Sequence, residues 1–142
     1  MMNRIQLSKN LWLDEYIPEE LYKSLIHRPH ILIGLLDERL IIADQKLRDV
    51  FGAVTINNWM TGGERNWSGL RTPDSPYYSA NSQHSFGRAS DKLFHNATAE
   101  DVRKYIKITY TTLGITCIEE DVSWVHSDCR WHQGNNLLLV HP

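Results

Sequence analysis

Residues 82–91, SQHSFGRASD, carry the sequence pattern from which the predictions for fold and site begin. His84 and Asp91 lie seven positions apart in it, and Gly87 between them allows a tight bend. Residues 88–94 then have the composition of a β-strand. An imidazole and a carboxylate placed in this way are candidate metal ligands, which need a partner from another element to complete a site.

That partner comes from residues 123–131, SWVHSDCRW, which are also predicted to form a strand. Because side chains alternate along a strand, His126, Asp128, Arg130 and His132 would share one face. The predicted ligand set is His84, Asp91 and His126. Three protein ligands leave the fourth position of a tetrahedral zinc ion open for water.

The chain has seven histidines, so spacing alone leaves alternatives to this ligand set open. His84 would otherwise be an ordinary loop residue, and His126 a hydrogen-bonded histidine of the core. His132 would lie on the same strand face as His126 and is an alternative ligand, but it lies further along the strand than His126.

Composition predicts one globular domain over residues 1–142, because 42% of the residues are hydrophobic and 23% are charged. The net charge of -2 gives no basic excess that would favour binding to nucleic acid or to a membrane surface. Cys117 and Cys129 lack CxxC spacing and are expected to be buried, reduced thiols. With no signal-like segment in view, we expect a soluble monomer that is synthesised in the cytoplasm.

Hydrophobic periodicity and capping residues predict the order of the secondary-structure elements. Helices are predicted over residues 18–24, 29–51 and 98–113, the last with Thr98 as N-cap and Asp101 as its capping-box partner. Strands are predicted over residues 53–59, 88–94, 115–120, 123–131 and 137–140. Since short connections join most of the strands, the sequence predicts an α+β fold with an antiparallel sheet flanked by helices.

Residues 60–83 form a predicted loop rich in Gly, Pro, Asn, Ser and Tyr, directly before the His84 motif. Loops of this length are uncommon inside compact domains and are usually functional, although a surface insertion is the simpler alternative. We expect Trp67, Tyr77 and Tyr78 in this loop to form walls of a binding cleft.

The two motifs resemble those of the zinc D-alanyl-D-alanine peptidases, whose pattern is S-x-H-x-x-G-x-A-x-D followed by a W/F-V-H-x-D strand. Every specified position of the first part is matched, by Ser82, His84, Gly87, Ala89 and Asp91. The upstream segments RDVFG, VTINNW and SGLR are similar to that family's helix, strand and approach to the site, so the resemblance covers about residues 38–131. The hedgehog signalling domain carries a similar H-x-x-G-R-A-x-D segment, which warns that the motif does not guarantee peptidase activity.

The resemblance implies a hedgehog/DD-peptidase-like fold and one zinc ion per chain, bound by His84, Asp91 and His126. Arg71 matches the arginine of the family's S-G-x-R segment and is expected to face the substrate. Asp128 matches the H-x-D position, where it would orient a ligand or the substrate amine. Substrate-binding residues are expected at Arg71, Ser82, Trp67 and Tyr78.

The identity of the general base is left open by a departure from the family's pattern. Many relatives carry Glu or Asp three positions before the last histidine ligand, where this chain has Ser123. Other relatives take the base from the preceding strand, which here offers Glu119 and Glu120.

Strand parity distinguishes the two glutamates. If residues 121–122 form a two-residue hairpin, Cys117 pairs with His126, so that Glu119 shares the face of His126 and Glu120 faces away. A four-residue loop keeps this parity, and a three-residue loop swaps the two side chains. We therefore expect Glu119 to be the base, with Glu120 as the alternative.

These expectations favour a zinc metallopeptidase that acts on peptidoglycan stem peptides as a D-Ala-D-Ala carboxypeptidase or endopeptidase. A small domain without an export signal fits a phage or prophage lysin that another protein releases to the cell wall. One alternative is a catalytically silent zinc-binding module, such as a virion component. Ser123 leaves this alternative open, because it stands where many relatives have an acidic residue. A dipeptidase that acts on free D-Ala-D-Ala is the other.

Overall fold

The computed structural model describes residues 3–142. Its helices are α1 (Glu19–Leu25), α2 (Pro29–Ile33), α3 (Glu38–Phe51) and α4 (Ala99–Leu113). Its strands are β1 (Val54–Thr55), β2 (Ala89–Phe94), β3 (Cys117–Glu119), β4 (Val125–Asp128) and β5 (Leu138–Val140). Single 3-10 turns occur at Leu13–Glu15, Trp59–Thr61 and Gln83–Phe86. Within residues 3–142, no helix has both the length and the apolar character needed to cross a membrane.

The five strands form one mixed sheet in the order β1-β2-β4-β3-β5. Three of the pairings are antiparallel, but β5 runs parallel to β3. The predicted α+β class is confirmed, whereas the predicted antiparallel sheet is wrong for this last pairing. The physical reason is that β2 and β3 already occupy both sides of β4, so β5 adds at the outer edge of β3. A chain that reverses direction after β4 runs antiparallel to β4, and it is therefore parallel to β3.

The single helix predicted over residues 29–51 is wrong, because the chain breaks between α2 and α3. Gly34 ends α2, and the side chain of Asp37 accepts a backbone hydrogen bond that begins α3. The break lies against Gly87, whose carbonyl accepts from the backbone N–H of Asp37 at 2.9 Å. A Cβ at Gly87 would lie 1.9 Å from the carbonyl oxygen of Leu35, so this position requires glycine for space as well as for its φ of 68°.

Helix α4 confirms the predicted helix over residues 98–113 and Thr98 as its N-cap, since Thr98 Oγ1 accepts from the backbone N–H of Asp101 at 3.1 Å. The strands are shorter than predicted. β1 has two residues of the predicted 53–59, and residues 129–131 leave the sheet after β4. Short strands allow loops to begin next to the ligand-bearing residues.

The two faces of the sheet have different surroundings. Ile118 and Val125 pack against Leu47 of α3 and Ile106 of α4 in the hydrophobic core. His126 follows Val125 on β4, so it projects to the opposite face. Strand alternation therefore separates the core from the site.

A buried ion pair fixes β2 to α3 beneath the site. Lys92 Nζ lies 3.1 Å from Asp44 Oδ1 and donates to the hydroxyls of Ser90 and Ser127 at 2.7 and 2.6 Å. Both charged side chains are fully buried. The backbone on either side of Asp91 is thereby held from the core face of the sheet.

The two cysteines are separate thiols, as the sequence predicts. Cys117 in β3 and Cys129 after β4 are both buried, and neither forms a disulfide. Burial raises the pKa of each thiol to about 12. Both are therefore protonated at neutral pH and are poor metal ligands.

Candidate metal centre

His84 is presented by the short 3-10 turn Gln83–Phe86, which comes directly before β2. The hydroxyl of Ser82 accepts from the backbone N–H of His84 at 3.3 Å and begins the turn. Gly87 ends the turn in the left-handed conformation. Ser82, which we expected to contact the substrate, thus also shapes the segment that carries His84.

The three predicted ligands form one cluster. Asp91 in β2 is paired directly with His126 in β4, so their side chains lie on the same face. Asp91 Oδ1 is 2.9 Å from His126 Nδ1 and 3.3 Å from His84 Nε2. All three residues are more than nine-tenths buried.

This cluster is the single group of at least three potential metal ligands found among residues 3–142. One ligand atom from each residue lies within 4.8 Å of the others. Two imidazole nitrogens and one carboxylate oxygen are a donor set suited to a divalent transition metal. The residues present therefore fit such an ion.

Both histidines have their outer nitrogen engaged. His84 Nδ1 lies 2.8 Å from the carbonyl oxygen of Gly69, which only accepts, so Nδ1 carries a proton and Nε2 is the nitrogen that faces the cluster and would offer its lone pair to a bound metal ion. His126 has the reverse arrangement, with Nε2 2.8 Å from Asp128 Oδ2 and Nδ1 facing Asp91. Metal-binding histidines generally have such an outer partner, which fixes the tautomer and the orientation of the ring.

Residues 68–71, SGLR, support the cluster with backbone groups. The carbonyl of Ser68 accepts from the backbone N–H of Asp91 at 2.7 Å, and the next carbonyl is the one that binds His84. A Cβ at Gly69 would lie 2.4 Å from the carbonyl oxygen of Tyr16. Only glycine lets the segment pass this close to the neighbouring chain.

Arg71 contacts a candidate ligand directly. Its Nη2 donates to Asp91 Oδ2 at 3.0 Å, and its Nε donates to the carbonyl of Trp67 at 2.8 Å. Since Arg71 occupies Oδ2, Oδ1 is the oxygen that Asp91 presents to the histidines. The guanidinium also lies 5.6 Å from the ring centre of Tyr77, so it stands between the cluster and an aromatic wall.

Charge interactions shift the pKa values of the cluster. Burial alone would raise the pKa of Asp91, but hydrogen bonds from the histidines hold it well below its usual range. Burial alone would lower the pKa of His126, but Asp128 and Asp91 raise it to about 9. For Asp128, the opposing effect of burial is exceeded by hydrogen bonds from Arg130 and His126, which lower the pKa to about 2. Both carboxylates are ionised at neutral pH, which favours cations in the cluster.

Glu119 lies beside the cluster, and Glu120 does not. Glu119 Oε1 is 3.7 Å from His126 Nδ1. Glu120 Oε1 is 2.6 Å from Lys107 Nζ on α4. Of the two glutamates, Glu119 lies on the same face of the sheet as His126, as strand alternation predicts. Its role as the general base stays a prediction.

The strand partners that a two-residue hairpin at 121–122 would give are wrong. Cys117 pairs with Asp128 and not with His126, because residues 120–124 all lie in the connection between β3 and β4. The register is displaced by two residues. A displacement of two keeps every side chain on its face, because strand side chains alternate with a period of two.

The cluster borders a cavity of about 760 Å³. Five residues that the sequence indicated for the site also line it: Arg71, Trp67, Tyr77, Ser82 and Glu119. Tyr78 is not among the lining residues, and its neighbour Tyr77 is. Asp128 is 1% exposed and lies behind His126, so its position is that of an outer partner of a ligand.

Sequence reasoning did not place Trp124 and Arg130 in the cavity wall, where the structure has them. Both flank His126 in the second motif, and strand alternation had already placed Arg130 on the face of His126. They lie just outside the two ends of β4, and most of the rest of the wall comes from residues 64–84.

His132 is not brought to the cluster. Its Nε2 lies 3.2 Å from the carbonyl oxygen of Thr116. Strand β4 ends at Asp128, so the alternation that would have carried His132 to the ligand face stops before it.

No protein-family model matches the chain, and no curated protein or solved structure matches it. The site is therefore characterised by its own geometry. It is a buried His-Asp-His cluster that could hold a metal ion, next to the Glu119 carboxylate and open to a cavity.

Proposed function

We propose that the protein is a zinc metallopeptidase that hydrolyses peptide bonds in bacterial peptidoglycan stem peptides, on the fold of the zinc D-alanyl-D-alanine peptidases. The observation that carries the proposal is the juxtaposition of the buried three-ligand cluster and the Glu119 carboxylate at one cavity. The match of both sequence motifs to that family supports it.

His84, Asp91 and His126 would hold the zinc ion. When bound there, zinc supplies Lewis acidity, which polarises the scissile carbonyl and makes the attacking water more acidic. Two imidazoles, each deprotonated at its metal-facing nitrogen when the ion binds, and one carboxylate match the ligand types that catalytic zinc sites use.

Glu119 acts as the general acid–base. Its carboxylate borders the cavity beside His126, so it accepts a proton from the attacking water and delivers it to the leaving amine. Arg71 holds Asp91 through Oδ2, and its remaining N–H groups stabilise negative charge that develops on the substrate. Trp67 and Tyr77 provide apolar walls for a peptide in the cavity.

The proposal is tested with purified protein, zinc added in stoichiometric amount, and three substrates: intact peptidoglycan, stem pentapeptide and free D-Ala-D-Ala. We expect release of peptide fragments or of D-alanine from the wall-derived substrates. Cleavage of the free dipeptide alone would identify a dipeptidase in place of a wall peptidase.

His126→Ala is the variant that tests the metal site, since it removes one of the three donors. It should abolish stoichiometric zinc binding by elemental analysis, whereas His132→Ala, outside the cluster, should retain it. Full zinc retention in His126→Ala would refute the ligand set.

The second candidate function is a zinc-binding module without turnover. Ser123 favours it, because this residue stands where many relatives have an acid, is exposed and is not part of the cavity lining. A protein that binds one zinc ion and cleaves none of the three substrates would support this module over the peptidase.

A further inference from the structure

The side chain of Arg130 reaches the cluster through Asp128, and we infer that Arg130 is a positioning residue for the metal ligand His126. The inference rests on the proposed metal site and adds a residue that neither the motif nor the ligand set assigns. It follows from a chain of contacts, Arg130–Asp128–His126, that begins at the cavity wall and ends at the cluster.

His126 can serve as a ligand through Nδ1 only if its ring keeps one orientation. Nδ1 lies 2.9 Å from Asp91 Oδ1, and Nε2 lies 2.8 Å from Asp128 Oδ2. A hydrogen bond from Nε2–H to a fixed acceptor selects this tautomer and orientation. The position of the Asp128 carboxylate therefore decides where Nδ1 points.

Arg130 supplies most of the contacts that fix this carboxylate. Asp128 Oδ1 accepts from Arg130 Nε at 2.8 Å and from the Arg130 backbone N–H at 3.2 Å. Asp128 Oδ2 accepts from Arg130 Nη2 at 2.6 Å in addition to His126 Nε2. The two guanidinium contacts form a bidentate pair, which fixes the plane of the carboxylate as well as its position.

Because of where Arg130 lies, the position of the Asp128 carboxylate depends on this one side chain. The Asp128 side chain is fully buried, and that of Arg130 is 27% exposed and lines the cavity. Arg130 thus covers Asp128 on the cavity side. A lysine would keep the charge but could not reproduce the planar pair of donors.

The chain contains a matched control for this motif. Arg39 makes the same bidentate contacts to Asp37, two residues before it, with Nε to Oδ1 at 3.0 Å and Nη2 to Oδ2 at 2.7 Å. Its backbone N–H also donates to Oδ1 at 3.0 Å. This second pair begins α3 and contacts none of the three candidate ligands.

The experiment measures the affinity of the full chain for Zn²⁺ by competition with a chelator, together with the visible absorption of the Co²⁺-loaded protein and the thermal midpoint. The variants are Arg130→Lys, Arg130→Gln and the control Arg39→Lys. Both substitutions at Arg130 should weaken metal affinity, by no more than the about 10–100-fold that loss of Asp128, the outer partner of His126, would cost, and should change the Co²⁺ spectrum. Arg39→Lys should leave affinity and spectrum unchanged, and Arg130→Lys should keep a thermal midpoint close to that of the control.

A double-mutant cycle tests whether Arg130 acts through Asp128. In the Asp128→Asn background, Arg130→Lys should add little further loss of metal affinity, because the carboxylate that it positions is already gone. Additive losses, or wild-type affinity in both Arg130 variants, would overturn the inference while leaving the metal site in place. A wild-type protein that binds no metal would overturn the inference together with the proposed function.

Discussion

Glu119 Oε1 lies 3.7 Å from His126 Nδ1, while the adjacent Glu120 is turned away and pairs with Lys107 at 2.6 Å. Two neighbouring carboxylates of the same chemistry therefore have opposite surroundings. This relationship makes them a matched pair for testing the proposed general base.

Glu119→Gln should reduce turnover by about 10²–10⁴-fold, the usual contribution of a positioned general base, because the amide cannot accept the proton. Zinc content and folding should be retained, since the change is nearly isosteric. Glu120→Gln should leave turnover close to wild type. An inactive Glu120→Gln beside an active Glu119→Gln, measured by release of peptide from peptidoglycan, would contradict the assignment.

Arg71→Lys should lower kcat/KM by more than about tenfold, or ~1.4 kcal/mol in the barrier. Lysine keeps the charge but cannot bridge Asp91 and the carbonyl of Trp67 with two donors in one plane. Because Arg71 holds a candidate ligand, metal affinity should fall as well. Arg39→Lys serves as the control, and wild-type kinetics and affinity in Arg71→Lys would place Arg71 outside the working site.

Gly87→Ala should destabilise the protein more than Gly114→Ala does. Both glycines have a positive φ, 68° and 79°, so both substitutions carry the strain of a left-handed alanine. Only at Gly87 would the new Cβ meet backbone, at 1.9 Å from Leu35 O, whereas nothing lies within 4 Å at Gly114. Urea unfolding should show an additional loss of about 1–3 kcal/mol for Gly87→Ala. Equal losses of stability would mean that the close contact between Leu35 and Gly87, at the end of the turn that carries His84, does not constrain the fold.

Glu15 should make the free energy of unfolding depend on pH. Burial, with the Asp14 and Asp44 charges, raises its pKa from 4.5 to about 7, against the opposing effects of the Trp12 backbone N–H and Arg4. Because the folded state holds this proton more tightly than the unfolded state does, the stabilisation is complete below pH 4.5 and is lost as the pH rises through about 7.

In the structure the Trp12 backbone N–H donates to Glu15 Oε2 at 2.9 Å. Glu15→Gln keeps an oxygen that can accept this hydrogen bond, but it removes the titratable carboxyl group. The stability of the wild type relative to this variant should therefore fall between about pH 5 and 7, with a slope no steeper than ~1.4 kcal/mol per pH unit. Parallel curves for the two proteins over this range would contradict the raised pKa.

The sequence determined the features that depend on local chemistry. Thr98 and Gly114 mark the ends of α4, because a side-chain cap and a left-handed residue act within one turn of the chain. It also determined which three side chains converge, since residues 82–91 and 123–131 carry the ligand types at fixed strand positions, and the structure brings His84, Asp91 and His126 together. Strand parity alone placed Glu119 on the face of His126, even though the assumed hairpin was wrong.

Tertiary structure alone decided the features that depend on what surrounds each segment. The break between α2 and α3 arises because this stretch packs on Gly87, a contact 50 positions from Asp37. β5 runs parallel to β3 because both sides of β4 are occupied and the chain reverses direction after β4 to pair beyond β3. Most of the cavity lining comes from residues 64–84, which pack beside the sheet. Local sequence encodes capping, alternation and ligand type, whereas the packing of distant segments fixes strand order, helix breaks and contacts such as that of Arg71 with Asp91.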